Sequence, residues 1–182
     1  VAAQKMAELA RIDGLPRQVH VVEGSVRDLR ELLSARENLM KKRVSLVNSI
    51  RGYLKQERVK LPAKFFSSKD WQKKLNEIEI GRIQKIIIEN FMFALEQMQI
   101  AEDCILEEIY KIEDPRIELL ESIPAIGPIT SRVLLSALDN VNRFDGKKSV
   151  AKYGALTPRI YQSGNKSVTG KISNDGRKEM RR

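Results

Sequence analysis

The stretch from residue 25 to residue 54 reads SVRDLRELLSARENLMKKRVSLVNSIRGYL. Apolar side chains recur in it every seven residues, and each is followed directly by a second apolar residue. The paired positions are Leu32 and Leu33, Leu39 and Met40, Leu46 and Val47, and Tyr53 and Leu54. This spacing places them all on one face of an α-helix, in a stripe two residues wide. The sequence therefore predicts one long amphipathic helix.

A second apolar stripe follows, with apolar residues three, four or seven positions apart. Its members are Ile80, Ile83, Ile87, Phe91, Ala94, Met98, Ala101, Ile105 and Ile112. Between the stripes Pro62 interrupts the helix, and Ser67 or Ser68 is suited to the N-cap of the next one. We therefore expect a long antiparallel coiled-coil hairpin over residues 25–114. It is either a rigid spacer or, because the stripe is wider than one partner covers, a homo-oligomerisation arm.

Charge is distributed along the chain in blocks, and the 182 residues have a formal net charge of +9. Residues 25–60 contain ten Lys or Arg and four Asp or Glu, residues 76–122 contain four and twelve, and residues 141–182 contain eleven and three. Basic surfaces attract phosphates, so nucleic acid is the expected partner. The acidic helix is expected to lie along the basic one.

The chain has one cysteine, Cys104, and one histidine, His20. A single cysteine forms no internal disulfide, and His20 has no cysteine or carboxylate cluster at metal-ligand spacing, so we expect no metal site in this chain. The sequence has neither a signal peptide nor an apolar run of about 18 residues, as is typical of a cytoplasmic bacterial or archaeal protein. Because it begins at Val1 and ends at Arg182, we expect a piece of a longer protein.

Residues 119–144 predict two helices joined by the short turn IPAIGP, the second beginning near Thr130. The pattern resembles a helix-hairpin-helix, in which a tight turn and a helix N-terminus aim backbone N–H groups at a phosphate. That motif has glycine at two turn positions, whereas here Ala125 takes the first and only Gly127 remains. The alternative is a plain corner whose isoleucines fill the core, namely Ile123, Ile126 and Ile129.

Residues 119–182 as a whole contain many short elements in a fixed order. They are the Ile-Pro-x-Ile-Gly turn, Arg143-Phe144, Tyr153-Gly154-Ala155-Leu156-Thr157-Pro158, Tyr161-Gln162-Ser163-Gly164, Gly170-x-Ile172-Ser173, Gly176-Arg177 and Arg181-Arg182. This order resembles the C-terminal transposase domain of the bridge-RNA-guided insertion-sequence recombinases, a family of DEDD type with a serine nucleophile that is related to the Piv-type DNA invertases. A set of this length in order is far more specific than a lone glycine motif.

The resemblance implies a division of the chain. Residues 1–24 would be the end of a truncated RuvC-like nuclease domain and its linker, and residues 115–182 a transposase domain that is cut short at its C-terminus. Ala2 stands where the family has the last of four acidic residues. The resemblance therefore implies that the full-length enzyme uses a divalent metal, Mg²⁺, held by that absent domain. It also implies DNA and a structured guide RNA as partners, and an oligomeric complex.

By the same resemblance, Ser163 is the candidate catalytic residue. A serine hydroxyl that attacks a DNA phosphodiester forms a phosphoserine bond of similar energy, so the strand can be rejoined later. The hydroxyl needs a base or metal to take its proton and cations to stabilise the transition state. The candidate nucleic-acid-binding residues are Gly127, Thr130, Arg143, Arg159, Gln162, Gly164, Lys166, Lys171, Arg177, Lys178 and Arg181.

Two functions compete. The first is a DNA transposase or recombinase whose Ser163 becomes joined to DNA in the full-length enzyme, with this fragment inactive alone. The second is a non-catalytic helix-hairpin-helix module that holds a phosphate backbone and dimerises through the coiled coil, since a serine in a polar Gly/Asn/Lys loop is usually only solvated. A structural protein with an incidental basic tail is a third alternative. The predicted fold class is the same for all: mainly α, with a long antiparallel coiled-coil hairpin followed by a small helical domain with a helix-hairpin-helix-like turn and a basic loop.

Overall fold

The computed structural model describes residues 2–14, 20–164, 166–173 and 176–181. The helices are α1 (Ala2–Arg11), α2 (Gly24–Gln56), α3 (Trp71–Asn76), α4 (Arg82–Lys111), α5 (Pro115–Glu121), α6 (Pro128–Leu138) and α7 (Lys147–Tyr153). The strands are β1 (Pro158–Ser163) and β2 (Lys166–Ile172). This confirms the mainly α fold. In the described part of the chain, no helix combines the length and the apolar character that crossing a membrane requires.

The long helices α2 and α4 pack against each other in opposite directions. Leu54, near the end of α2, shares a buried cluster with Ile88 from the first half of α4. Leu29, near the start of α2, packs with Ile109 at the end of α4. The pairing of opposite ends confirms the antiparallel helical hairpin that the two apolar stripes predicted.

The two helices are joined by a folded connection. The chain passes through a 3-10 turn at Phe65–Ser67 and the short helix α3 before α4 begins at Arg82. The prediction of Ser67 or Ser68 as an N-cap was wrong, because Asp70 occupies the N-cap of α3 and Gly81 that of α4. The guanidinium of Arg51 stabilises the reversal, since it donates to the carbonyl oxygens of residues 61–63 and lies over the Phe66 ring.

The buried face of α4 is narrower than the sequence predicted. Its buried residues are seven positions apart, namely Ile88, Leu95, Glu102 and Ile109. Ile83, which we placed on this face, is 63% exposed. It precedes Ile88 by five residues and is therefore rotated by about 140° from it around the helix axis. Ile83 thus lies on an outer face together with Ile86, Phe93 and Ile100, which are also exposed.

One charged layer interrupts the apolar seam between α2 and α4. Glu102 is 6% exposed, and its carboxylate oxygens lie 3.2 Å from a terminal guanidinium nitrogen of Arg36 and 3.6 Å from Nε of Arg43. The Nε atoms of both arginines are buried without a hydrogen-bond partner among the described residues. This layer separates the apolar cluster around Leu54 from the cluster around Leu29.

The short helices α5 and α6 pack against the base of the helical hairpin, which is the end where α2 begins and α4 ends. Ile117 of α5 and Leu135 of α6 pack with Leu29 and Ile109 in one buried cluster. Arg132 of α6 is buried, donates from Nε to the Ile109 carbonyl oxygen at 3.1 Å, and lies over the Tyr110 ring. These contacts fix α6 against the end of α4, so the C-terminal segment has a defined position relative to the long helices.

Candidate nucleic-acid interface

The turn between α5 and α6 has the backbone conformation that a glycine-rich turn requires. Ala125 has φ +72°, in the left-handed region that favours glycine. Gly127 is the N-cap of α6, and the exposed Thr130 lies in the first turn of the helix. Helix starts leave backbone N–H groups without intrahelical partners. The turn can therefore present such donors, and the helix-hairpin-helix assignment stays a prediction.

The alternative interpretation of this turn, a plain corner with a core of isoleucines, fits it in part. Ile129 packs against the cluster around Leu29. Ile126 is half-buried, and Ile123 is 48% exposed. One of the three isoleucines therefore faces solvent, which a purely structural corner does not explain.

We predicted a basic loop in this segment, but the structure has an antiparallel β-hairpin there. Strands β1 and β2 pair with Ser163 opposite Lys166 and Gln162 opposite Ser167. Gly164 follows β1 with φ +56°, as a tight hairpin turn requires. Ser163 is therefore at the tip of the hairpin and exposed, next to the turn.

Ser163 and Lys166 point to the same side of the hairpin, because residues directly opposite each other on paired strands share a face. Cβ atoms of such pairs are typically about 5 Å apart. Among the described residues, no hydrogen bond engages the Ser163 hydroxyl. The tip thus places a solvent-accessible hydroxyl beside an ammonium group.

The rest of the hairpin is also exposed on both faces. The exposed fractions of Ile160, Tyr161 and Val168 are close to 60% each. Gly170 permits the close crossing of Tyr161, since an added Cβ would lie 3.0 Å from its ring and 3.3 Å from the Arg159 carbonyl oxygen. An isolated two-stranded hairpin is marginally stable in water. The apolar side chains of this β-hairpin are therefore not covered by the described part of the chain.

A second set of predicted residues meets around one aromatic side chain. The guanidinium carbon of Arg143 lies 4.2 Å from the Phe144 ring centre and 4.6 Å from the Tyr153 ring centre. Arg177 donates from Nε to the Tyr153 phenol oxygen at 3.2 Å. We call Arg143, Phe144, Tyr153 and Arg177 the arginine–tyrosine cluster. In the described part of the chain, no carboxylate lies within salt-bridge distance of either arginine.

The arginines change the acidity of the enclosed phenol. Burial alone would raise the pKa of Tyr153, but hydrogen bonds from Arg143 and Arg177 and their positive charges outweigh it and lower the pKa below its ordinary value. The lowered pKa means that the surroundings of the Tyr153 oxygen favour negative charge. The cluster is thus an electropositive site whose cations are held by aromatic rings and, for Arg143, by the carbonyl oxygens of Ala137 and Leu138, and not by acids.

Gly176 fixes Arg177 in this cluster. A Cβ at Gly176 would lie 2.6 Å from the Ala155 nitrogen and closer still to the Tyr153 carbonyl oxygen, so only glycine fits between these backbone atoms. Directly after it, the Arg177 N–H donates to the Tyr153 carbonyl oxygen at 2.8 Å. The Gly176-Arg177 element of the sequence is therefore a docking point for the C-terminal segment.

We expect Gly176→Ala to undock this segment while leaving the helical hairpin intact. The clash is with backbone, which moves less easily than a side chain, and the expected cost is about 1–2 kcal/mol. Hydrogen exchange should show faster exchange of the Arg177 amide and unchanged protection of α2 and α4. Gly52→Ala is the matched control, because an added Cβ there meets no atom within 4 Å. Unchanged exchange of the Arg177 amide in Gly176→Ala would contradict the expectation.

The predicted site residues fall into three places. The β-hairpin carries the exposed Arg159, Gln162, Ser163, Gly164, Lys166 and Lys171. The α5–α6 turn carries Gly127 and Thr130. The arginine–tyrosine cluster contains Arg143 and Arg177, and Lys178 and Arg181 follow in a 3-10 turn whose Arg181 donates to the Ser173 carbonyl oxygen at 3.4 Å. No contact between described residues joins Ser163 to the cluster.

Sequence reasoning missed Tyr153 as a residue of this site, because Tyr153 was noted only as part of a motif. The arginine next to an aromatic in Arg143-Phe144 was an available signal for a stacked guanidinium. Among the described residues, no three His, Cys, Asp or Glu side chains are grouped so that they could hold a metal ion.

Comparison with known proteins places the hairpin and the cluster inside a matched region. Residues 117–182 match the model of the transposase IS116/IS110/IS902 family. Over 159 residues the chain is 23% identical to the transposase for insertion sequence element IS1111A of Coxiella burnetii (strain RSA 493 / Nine Mile phase I). That similarity covers 85% of this chain and 44% of the relative, so the chain spans less than half the length of the curated protein that it matches.

Proposed function

We propose that this chain is part of a DNA transposase, and that it binds the DNA backbone and supplies the serine nucleophile. The similarity of residues 117–182 to the IS116/IS110/IS902 transposases supports the proposal at the level of the family. The observation that carries the mechanism is the exposed hydroxyl of Ser163 at the hairpin tip, on the same face as Lys166.

In the proposed reaction, the Ser163 oxygen attacks the phosphorus of a DNA phosphodiester. A bond forms between that oxygen and phosphorus, and the bond between phosphorus and one bridging oxygen breaks. The serine proton goes to a base, and the leaving oxygen gains a proton. Lys166 stabilises the negative charge that develops on the nonbridging oxygens. Attack by the released hydroxyl on the phosphoserine reverses these changes and rejoins the strand.

We place the activating group outside the described residues. None of the carboxylates there forms a group that fits a divalent metal, so we derive no step of this mechanism through one. The proposed source of Mg²⁺ and of the base is a nuclease-like domain elsewhere in the full-length protein. A structured guide RNA is the proposed second nucleic acid, for which the net charge of +9 offers electrostatic support.

We further propose that the long hairpin joins copies of the chain. Ile86, Phe93 and Ile100 are seven residues apart on the outer face of α4 and are 46%, 64% and 52% exposed. A seven-residue apolar spacing is typical of helices that pack lengthwise on a partner helix. The buried seam with α2 lies on another face, so the outer face is available for a second copy.

A non-catalytic nucleic-acid-binding module is the second candidate function. It is favoured by one observation: among the described residues, no hydrogen bond links the Ser163 hydroxyl to a base. The experiment that separates the candidates is a test for a covalent adduct between the full-length protein and DNA. The adduct must depend on Ser163 if the chain is part of a transposase, and no adduct forms if it is only a module.

Both candidates predict binding to DNA that weakens steeply with salt. If about six of the cations in residues 141–182 contact phosphates, the logarithm of the binding constant should fall with the logarithm of the salt concentration at a slope of about −5, because each contact releases a counterion. Fluorescence anisotropy with a labelled duplex at several salt concentrations measures this slope. A slope near zero would contradict both candidates and favour a structural role.

A further inference from the structure

An open pocket lies beside the arginine–tyrosine cluster. It is lined by Tyr153, Gly176, Arg177, Lys178 and Glu179 and has a volume of about 490 Å³, which exceeds that of a phosphodiester group. We call it the Tyr153 pocket. Its polar side chains are a phenol, a guanidinium, an ammonium and one carboxylate, and the last two belong to the exposed residues Lys178 and Glu179.

The hydrogen-bond roles at Tyr153 leave one donor available. The phenol oxygen accepts from Nε of Arg177 at 3.2 Å, so its own hydrogen points elsewhere. Among the described residues, no acceptor receives that hydrogen. Nε of Arg177 donates to the phenol oxygen, and no described residue accepts a hydrogen bond from its two terminal nitrogens. A group that accepts several hydrogen bonds and carries negative charge fits these donors.

A third arginine, from a distant part of the sequence, interacts with the cluster through its charge. Arg30 of α2 donates to the Ser136 carbonyl oxygen, and its Nε is buried without a partner among the described residues. Its pKa is lowered by burial and then by the positive charges of Arg177 and Arg143.

Two acidic side chains lie near these cations. Asp139 acts on Arg30 by its charge, but its carboxylate is engaged at 2.7 Å with Nε2 of His20. Glu179 lines the pocket, is exposed, and lies beyond salt-bridge distance of the described cations. Its charge would oppose an anion in the pocket. The cations Arg143, Arg177 and Lys178 outnumber Glu179, so the pocket and the cluster keep an excess of positive charge.

We propose that the Tyr153 pocket binds one backbone phosphodiester group of a nucleic-acid strand. The phenol and the fork of Arg177 donate hydrogen bonds to the nonbridging oxygens, while Arg143 contributes charge. This inference rests on the proposed function, because it names a defined contact within the proposed nucleic-acid surface. It differs from a diffuse basic tail, since geometry and not only charge determines the affinity.

The test uses substitutions that preserve charge or remove a single atom. Arg177→Lys keeps the positive charge but loses the planar fork and the bond to the phenol, and Tyr153→Phe removes only the donor hydroxyl. Each should weaken binding of the chain about tenfold, as expected for a lost hydrogen bond to a charged group. Lys152→Arg and Tyr110→Phe are the matched controls outside the pocket, and each should stay within about twofold of the unchanged chain.

The measurement is anisotropy of a labelled DNA duplex and of an RNA duplex of the same sequence, at one fixed salt concentration. A loss with either probe supports the pocket and identifies the strand that it prefers. Glu179→Gln tests the pocket by a gain of affinity, because removing the negative charge of Glu179 should tighten binding of the duplex about threefold. A variant that merely loses its fold would not give this gain. Thermal unfolding of each variant shows whether the fold is kept.

The proposal is overturned if Arg177→Lys and Tyr153→Phe bind both probes as the unchanged chain does, or if Glu179→Gln fails to tighten binding. In that case salt-dependent binding by the unchanged chain would leave the proposed function intact, with its phosphate contacts elsewhere. Absence of any salt-dependent binding would remove the proposed function together with the pocket.

Discussion

Replacing Ser163 with alanine in the full-length protein should abolish the covalent adduct with DNA, lowering strand transfer by more than about 10³-fold. The substitution removes the one oxygen that forms the bond to phosphorus. It leaves the hairpin unchanged, because the Ser163 side chain is exposed and no described residue bonds its hydroxyl. Binding of DNA should therefore change by less than about twofold, since only a neutral hydroxyl is lost.

The adduct is measured by mixing the protein with end-labelled DNA and separating the products under denaturing conditions. Ser167→Ala is the matched control, since Ser167 lies on the same hairpin opposite Gln162. It should form adduct at the rate of the unchanged protein. If adduct persists in Ser163→Ala, or if peptide mapping finds the DNA on another residue, the assignment of the nucleophile is wrong.

Replacing Glu102 with alanine should destabilise the helical hairpin by about 2–3 kcal/mol. Glu102 is 6% exposed and its oxygens face Arg36 and Arg43 across the seam. Without the carboxylate, two positive charges remain in a narrow apolar layer with no partner between them. The expected cost is below that of a fully buried pair, because the arginine side chains are 21% and 40% exposed and can reach water.

Denaturant unfolding of the chain, followed by circular dichroism, measures this cost. Glu96→Ala on the exposed side of α4 is the control and should change the free energy of unfolding by less than about 0.5 kcal/mol. A triple variant, Arg36→Met, Arg43→Met and Glu102→Leu, should recover the loss, because an apolar layer of similar volume replaces the buried charges. If the single variant is as stable as the unchanged chain, the layer does not stabilise the hairpin.

The part of the fold that could be predicted depends on local periodicity. Apolar residues at a seven-residue spacing determine which face of a helix is buried, so the stripe containing Leu54 and the stripe containing Phe91 predicted the helical hairpin. The prediction was less accurate at the ends of elements. Ile83 fits the apolar spacing of the sequence but lies on the outer face of α4. The N-cap of α3 is Asp70 instead of Ser67 or Ser68, because several polar residues in this stretch are suited to cap a helix.

The C-terminal segment was harder to predict, because its strands have no strong alternation of apolar and polar residues that would mark their pairing. Ile160, Tyr161, Val168 and Ile172 are all exposed, so the hairpin has no buried face to mark it as strands. Gly164-Asn165 is a turn signal between the strands, yet the glycine, asparagine and lysine residues around Ser163 favoured a loop.

By itself, the sequence determined the long helical hairpin, the basic character of the last third and the choice of Ser163 as the candidate nucleophile. The first two follow from periodicity and from charge, and the third follows from the resemblance of an ordered set of short motifs to a known transposase family. Only the tertiary structure decided that Arg143 and Arg177 meet around Tyr153, and that Glu102 is held between two arginines. The physical reason is that packing of α6 and the C-terminal segment on the base of α2 joins residues that are far apart in the chain, and no local pattern records such contacts.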